Sequence, residues 1–428
     1  MQRLLMTGLL VIASSWIAQT KTAAAADPGD PTTPSASTLW RAGASSTEIT
    51  PHLGSFLAGY GRNRRSTGEL DPLMLRVLTI DDGQKPLVIM TLDNIGLTGP
   101  DIRRIQQHIH TVIPEIPADQ VMVSSTHTHA GPDVVGLWGE SFWSSGRDES
   151  YLDTLTETAA TQAETAWSAR QPVQLRAASR EVPMPWVENL SEPKLLDRHL
   201  TALQFTDLTG TTIATLTNYA CHPTVLDGEN TSTSADYVHG FVTTMSSALT
   251  GEHLFLQGAI GGWVQPLQGD RSHELAISLG QQLAKGVLDL LENAEHVPAE
   301  PIRFASTTLD VPLANWGMRL LAFIGVMQRD ITAGAMQVAV ARFNLGSVAF
   351  VTHPGETSPA YSLQSRKILG GKHAVVMGLT QDAMGYILKP DYFTNTEAYP
   401  HADYLTSVSA GPEAGPLLME TIQALKPE

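Results

Sequence analysis

The chain holds a single cysteine, Cys221, in 428 residues, so no disulfide can form within it. An exported protein built this way relies on its core instead of covalent staples. Basic residues are scarce too: 27 Lys and Arg stand against 43 Asp and Glu, for a net charge of −16. That balance argues against nucleic acid or an anionic membrane surface as a partner. Long apolar runs are missing after the first residues. Residues 1–26 read as a secretory signal, with Arg3 in a short basic start, an apolar run from Leu4 to Ala18 and small residues from Ala23 to Ala26. The run is too short to span a bilayer, and no cysteine stands near the cleavage site to carry a lipid. A periplasmic or secreted protein with no integral membrane segment is expected. Residues 27–38, rich in Pro, Ser and Thr, are expected to form a disordered leader.

What the chain does contain is concentrated at strand ends. In Val121-Met-Val-Ser-Ser-Thr-His127-Thr-His129-Ala-Gly-Pro132 a β-branched run stops at two histidines spaced i, i+2, followed by a Gly-Pro breaker. Successive strand side chains alternate faces, so both imidazoles should project the same way, as the first ligands of a hydrolytic metal site do. Taken alone, such a pair also suits an ordinary strand end. Three further segments repeat the layout. The run Ile213–Cys221 ends at His222-Pro223, Val348–Pro354 leads to Gly355-Glu356, and Ala374–Leu379 runs into a short loop ending at Tyr386. Singly, His222 reads equally as a buried histidine, Glu356 as a helix N-terminal acid and Tyr386 as core. Open α/β sheets gather ligands outside the carboxyl ends of their strands. Four such deliveries in one chain favour a metal site.

The stretch Thr126-His127-Thr128-His129-Ala130-Gly131-Pro132 resembles the signature of the neutral/alkaline non-lysosomal ceramidases. The likeness continues in Gly59-Tyr60-Gly61, Cys221-His222, Ser234-Ala235-Asp236-Tyr237, Phe255-Leu256-Gln257-Gly258, Pro354-Gly355-Glu356 and Gly378-Leu379 through Tyr386, in the family's order. It implies a zinc-dependent amide hydrolase with His127, His222, Glu356 and Tyr386 as ligands. His129 would bond the developing oxyanion or shuttle a proton. Asp236 would orient a histidine ligand, and Tyr404, in looser register, would match a second functional tyrosine. The departures matter as well. Where the family carries a catalytic serine, this chain reads Gly258-Ala-Ile-Gly-Gly262-Trp263-Val264-Gln265-Pro266, with Gln265 nearest the serine position. The family's Asn-x-Arg arginine faces Asn189-Leu190-Ser191 here. The chain is read as a short, single-domain branch resembling the family's N-terminal catalytic domain and lacking its appended immunoglobulin-like domain. Scaffold and metal are thus implied, but ceramide as the substrate is not.

The rest of the chain alternates strand-like and helical segments. Leu75–Ile80 and Leu87–Leu92 read as strands. Helices are expected over 100–113, opened by Pro100 and Asp101, over 149–169, and over 273–293, where Leu279, Leu283, Val287 and Leu290 recur at helical spacing. No internal repeat or linker divides residues 39–428, and the proposed ligands spread from 127 to 386. One large α/β domain is expected, with mixed sheets flanked by helices and the metal at the strand C-termini. Cys221 lies beside His222 on the opposite strand face, which suits a structural thiol better than a nucleophile. The apolar segment Trp316–Met327 reads as either an internal helix or a lid over a greasy pocket.

The expected function is hydrolysis of an amide in an N-acylated lipid or small molecule by metal-activated water. A second reading keeps the metal but takes a glycan or ester, with Trp263 as a stacking surface. A third is a non-catalytic relative that binds a ligand; retention of all four proposed ligands argues against it.

Overall fold

Leu87 and Ile89 face one apolar core, while Val88 and Met90, alternating with them, face another. The strand is therefore buried on both sides, which is why it reads as a continuous apolar run and not as an alternating one. The pattern extends through the computed structural model, which describes residues 39–428. Three sheets contribute to the inner core: Leu78 and Met122 from the first, Phe205, Leu216 and Leu254 from the second, and Phe343, Phe350 and Met377 from the third. Helices cover the outer faces, where Ile102, Ile105, Leu152 and Leu155 belong to the same core as Val88 and Met90. The signal and leader expected before residue 39 lie outside the described residues.

The first sheet runs in the order Val121–Ser125, Pro86–Leu92, Met74–Asp81, Arg41–Glu48, Gln171–Pro172. The second runs Glu252–Gln257, Thr212–Tyr219, His199–Thr206, Gln174–Glu181, Glu295–Val297. The third runs Arg303–Pro312, Ala335–Leu345, Val348–Thr352, His373–Met377, with Ile331–Thr332 paired to its second strand. Pairing is antiparallel except at one edge of each sheet. There Pro86–Leu92 lies parallel to Val121–Ser125, Thr212–Tyr219 to Glu252–Gln257, and Val348–Thr352 to His373–Met377. A parallel pair needs a crossover. The helices Gly99–Val112, Tyr237–Ala248 and Pro359–Leu369 supply it in turn. Each sheet thus carries one strand–helix–strand unit at its edge.

The expected helices form close to their predicted bounds. Gly99–Val112 opens with Pro100 in its first turn, Glu149–Ser168 is capped by the Asp148 carboxylate, and His273–Glu292 by the Ser272 hydroxyl. The last of these lies against Tyr237–Ala248 through Gly280, where an added Cβ would come within 2.1 Å of the Tyr237 carbonyl oxygen. Trp316–Phe323 is a short helix with two different faces. Met318 and Leu321 are buried, while Trp316 and Phe323 are 76% and 88% exposed. It is not an internal helix: one face is exposed, and Met318 and Leu321 on the other line an apolar cavity. Among the described residues no helix is long and apolar enough to cross a membrane.

Candidate metal centre

Three loops that follow the parallel strands meet at one point. The strand Val121–Ser125 ends two residues before His127, whose backbone turns left-handed at φ 74°. The alternation of a regular strand therefore does not align His127 with His129, as the sequence suggested; a sharp loop does. The His127 amide donates to the Asn94 carbonyl at 2.9 Å, and its Nδ1 faces the Ile95 carbonyl at 2.5 Å. His222, three residues past Tyr219, is held the same way. Its amide and its Nδ1 both meet the Val264 carbonyl, at 2.9 and 2.7 Å. A carbonyl can only accept, so each Nδ1 carries the hydrogen and each Nε2 presents a lone pair to the site.

Gln257 binds the two histidine loops together. Its Nε2 donates to the carbonyls of Thr126 and Cys221 at 3.0 and 2.9 Å, and its Oε1 accepts from the amides of Cys221 and Gly258. The side chain is wholly buried and fully used. Its sequence signal was a glutamine closing an apolar run just before a glycine, a buried amide that needs several partners. Gly59 supports the other side: with φ 93°, it lies so close to His129 that a Cβ would fall 2.4 Å from the ring.

Glu356 completes the cluster. One carboxylate oxygen, Oε2, lies 3.0 Å from His222 Nε2 and 3.5 Å from His127 Nε2, and His129 Nε2 lies 3.2 Å from His127 Nε2. Ligand nitrogens of His127, His129 and His222 all fall within 4.8 Å of one another. Lone pairs aimed at a carboxylate at this range repel unless a cation stands between them, so the donor set fits a divalent metal. The charges agree. Burial, followed by the neighbouring His127 and His222, keeps His129 well below the usual imidazole range. Burial also lowers His222 despite Glu356 beside it. Burial would raise the Glu356 carboxyl, but the facing imidazoles of His127 and His222 outweigh it and hold the group below its ordinary value. The result is a carboxylate beside two imidazoles, those of His129 and His222, that burial keeps from taking a second proton.

The structure brings Tyr386 to the same point. Tyr386–Ile387 forms a short parallel ladder with Glu356–Thr357. Burial, then the charge of Glu356, pushes the Tyr386 phenol well above its usual pKa, so it must give up its proton to act as a ligand. His129 differs from the other two histidines because its Nδ1 is buried with no partner. Leaving that nitrogen bare is the cheaper arrangement, which puts the hydrogen on Nε2 and makes the ring a donor into the site.

Asp236 is a correction. It reaches neither His127 nor His222, whose Nδ1 hydrogens go to backbone carbonyls. Its carboxylate accepts from the amides of Leu226 and Tyr237 and caps the helix Tyr237–Ala248. An aspartate ahead of a helix reads the same in sequence whether it caps or orients. Cys221 is fully buried, and burial raises its thiol well above the ordinary range, as suits a structural residue. Trp263 stacks on Tyr404 at 5.4 Å and meets His401 edge-on, so its ring is already engaged. Gln265 contacts Glu188 at 3.4 Å and does not line the cavity.

His127, His129, Glu356 and Tyr386 form the floor of a cavity of about 460 Å³, with His222 fully buried beside them. Its walls are largely apolar: Ile95, Val135, Leu137, Trp138, Phe142, Met318, Leu321, Met327 and Leu379. Tyr404 and Arg62 also line it, and residues of the Trp316–Phe323 helix form one side. Sequence reading missed this wall, whose parts are scattered between residues 59 and 408.

No protein-family model matches the chain, and no curated protein matches it by sequence. Solved structures share its fold, two ceramidases among them. The neutral ceramidase from Pseudomonas aeruginosa superposes with a TM-score of 0.75 at 15% identity, over 90% of this chain and 74% of that one. A ceramidase complexed with C2 gives 0.75 at 14% identity with the same coverage. The chain has a ceramidase-like fold.

Proposed function

We propose that the chain is an exported zinc hydrolase, periplasmic or secreted, that cleaves the amide bond of an N-acylated lipid or small molecule. One observation carries this reading: Nε2 of His127, Nε2 of His222 and Oε2 of Glu356 converge at the floor of an apolar cavity, with Tyr386 beside them. Two neutral imidazoles with a carboxylate and a phenol oxygen are a donor set that suits zinc. Bound there, zinc supplies a Lewis acid and an activated water.

The chain's own groups do the rest. The carbonyls of Ile95 and Val264 fix the two ring tautomers. Glu356 balances charge. His129, neutral and bearing its hydrogen on Nε2, donates to the carbonyl oxygen of the substrate as negative charge grows there. His129 is half-buried and lines the cavity, so an acyl chain seated there would displace water from this donor. The apolar walls hold an acyl chain beside the reacting carbon, and Tyr404 closes one side of the mouth. The amide assignment is supported by the ceramidase-like fold, since the neighbouring proteins are named for ceramide, an N-acylated lipid. The glycan alternative weakens because Trp263 already stacks on Tyr404. Export is supported by the signal-like residues 1–26.

The test is metal analysis of the purified protein together with a panel of N-acyl, ester and glycoside substrates. Zinc should co-purify, leave with a chelator and restore N-acyl hydrolysis when returned. Turnover of esters or glycosides with no release from N-acyl compounds would overturn the amide assignment. Protein without affinity for zinc would overturn the metal.

A further inference from the structure

Among the described residues, Arg62 is the one charged group lining the cavity, outside the floor cluster, that has no partner. The other lining cation, Arg329, is buried against Asp382 and the Ala383 carbonyl. Asn315 uses its amide on the Ser407 and Ser409 carbonyls and its oxygen on the Met318 amide, and the Ser407 hydroxyl donates to the Tyr404 carbonyl. Arg62 makes no ion pair or hydrogen bond through its side chain among the described residues; its guanidinium stands 5.2 Å from the ring centroid of Phe142. Among the described residues, no carboxylate lines the cavity apart from the partly buried Glu356. In a chain of net charge −16, the cavity lining thus holds one cation that no carboxylate neutralises among the described residues.

Position narrows what the arginine could meet. Gly59 touches the His129 ring, and three residues of chain span at most about 11 Å. The Arg62 backbone thus lies within about 11 Å of Gly59, and its side chain lines the same largely apolar cavity as His127 and His129. A substrate with its acyl chain against the apolar wall and its carbonyl at the floor would bring the amine-side substituent toward this guanidinium. A planar fork of donors meets a carboxylate or phosphate better than it meets a hydroxyl.

We propose that the cavity selects N-acylated amines whose amine side carries an anionic group, and that Arg62 is the residue that recognises it. The inference rests on the N-acyl reading above, but binding tests it independently of hydrolysis. The probes are N-dodecanoyl-glycine, N-dodecanoyl-ethanolamine and N-dodecanoyl-aminoethyl phosphate, each titrated below its micelle concentration into the purified protein. At least one anionic probe should bind about tenfold more tightly than the neutral one, the scale of a partly exposed charge-assisted contact. Whichever anionic probe wins identifies carboxylate or phosphate as the recognised group. Arg62→Gln should abolish the preference, Arg62→Lys should keep part of it, and added salt should weaken it in the native protein. Equal binding of all three probes, no binding by any, or a preference that survives in Arg62→Gln would overturn the proposal; the last would assign anion binding to the metal. Hydrolysis is followed in parallel. An anionic preference in binding with no turnover of any probe would leave Arg62 as the selector and remove the hydrolase reading instead.

Discussion

Glu356 and Tyr386 are direct partners in a parallel ladder only two residues long. Backbone register, not side-chain packing alone, sets these two oxygen donors side by side, although thirty positions separate them in sequence. If they share a metal with His127 and His222, zinc content is the quantity to follow. His222→Ala should reduce bound zinc from stoichiometric to near none while the far-ultraviolet dichroism is kept. Tyr386→Phe should weaken zinc binding less, since the histidines and the carboxylate remain. Full zinc content in His222→Ala would remove the proposed ligand set.

His129 is predicted to act without holding the metal. His129→Ala should retain zinc and lose activity by about 10²–10³-fold, the usual loss for one oxyanion partner. Its nitrogen lies close enough to His127 to be a ligand as well. Zinc analysis of the same variant separates the two roles, because loss of zinc together with activity would make it a ligand.

Gly59→Ala tests the buttress behind that ring. The new methyl would enter the His129 ring at 2.4 Å, on a backbone with φ 93° that disfavours any side chain. A shift of about 1 Å in a catalytic group can lower the rate roughly 10²-fold, so a large fall in kcat with zinc retained is expected. Gly269→Ala, where nothing lies within 4 Å, serves as the neutral control. Unchanged kcat in Gly59→Ala would mean that the position of His129 is not critical.

Gln257→Leu should cut both histidine loops loose at once. The change leaves the Thr126 carbonyl and the Cys221 amide without their partner, while the Cys221 carbonyl keeps the Tyr237 hydroxyl and the Gly258 amide keeps the Tyr219 carbonyl. A stranded buried group costs about 1–3 kcal/mol, so the melting temperature should fall and zinc affinity should drop with it. Chelator competition and thermal melts measure the two effects. Zinc affinity equal to that of the native protein would show that the loops hold their geometry unaided.

Asp236 gives a prediction about pH. Burial, only partly offset by hydrogen bonds from backbone amides, pushes its carboxyl up to about 6. The folded state therefore keeps a proton that the unfolded chain releases near 4. Stability from this group is full below pH 4 and is lost as pH rises through 6. Asp236→Asn keeps an acceptor for the cap and removes the titration. The variant should match the native protein at pH 4 and exceed it at pH 7, by at most about 3 kcal/mol. Denaturant unfolding at the two values checks this, and a native protein that is the more stable at pH 7 would refute it.

The elements and the site differ in how far the sequence revealed them. The helices from 99, 149 and 273 were visible because apolar spacing and caps are local properties. The loops carrying His127, His222 and Glu356 were visible as strand-end motifs. Their meeting was not, because it depends on three sheets that share one core. Asp236 misled because a cap and an orienting carboxylate occupy the same kind of position. The Trp316–Phe323 helix was unreadable for another reason: its outer face is as apolar as its inner one, so composition could not say which side faced the cavity. Gly59 and Gln257 appeared only as motif letters, since their work is done on residues far along the chain.

The strand–helix–strand units at the sheet edges make the centre a property of the assembled chain. His127 depends on the first sheet, His222 on the second and Glu356 on the third, so no single sheet carries the centre. Metal affinity is then linked to the folding of all three. A cation at a hundred times its dissociation constant adds about 2.7 kcal/mol to the folded state if it ignores the unfolded one. Chelation should therefore lower the melting temperature of the whole domain, not only that of one loop. By the same linkage, a destabilising substitution in the core far from the cavity, such as at Phe343, would lower the fraction of chains able to hold metal at all.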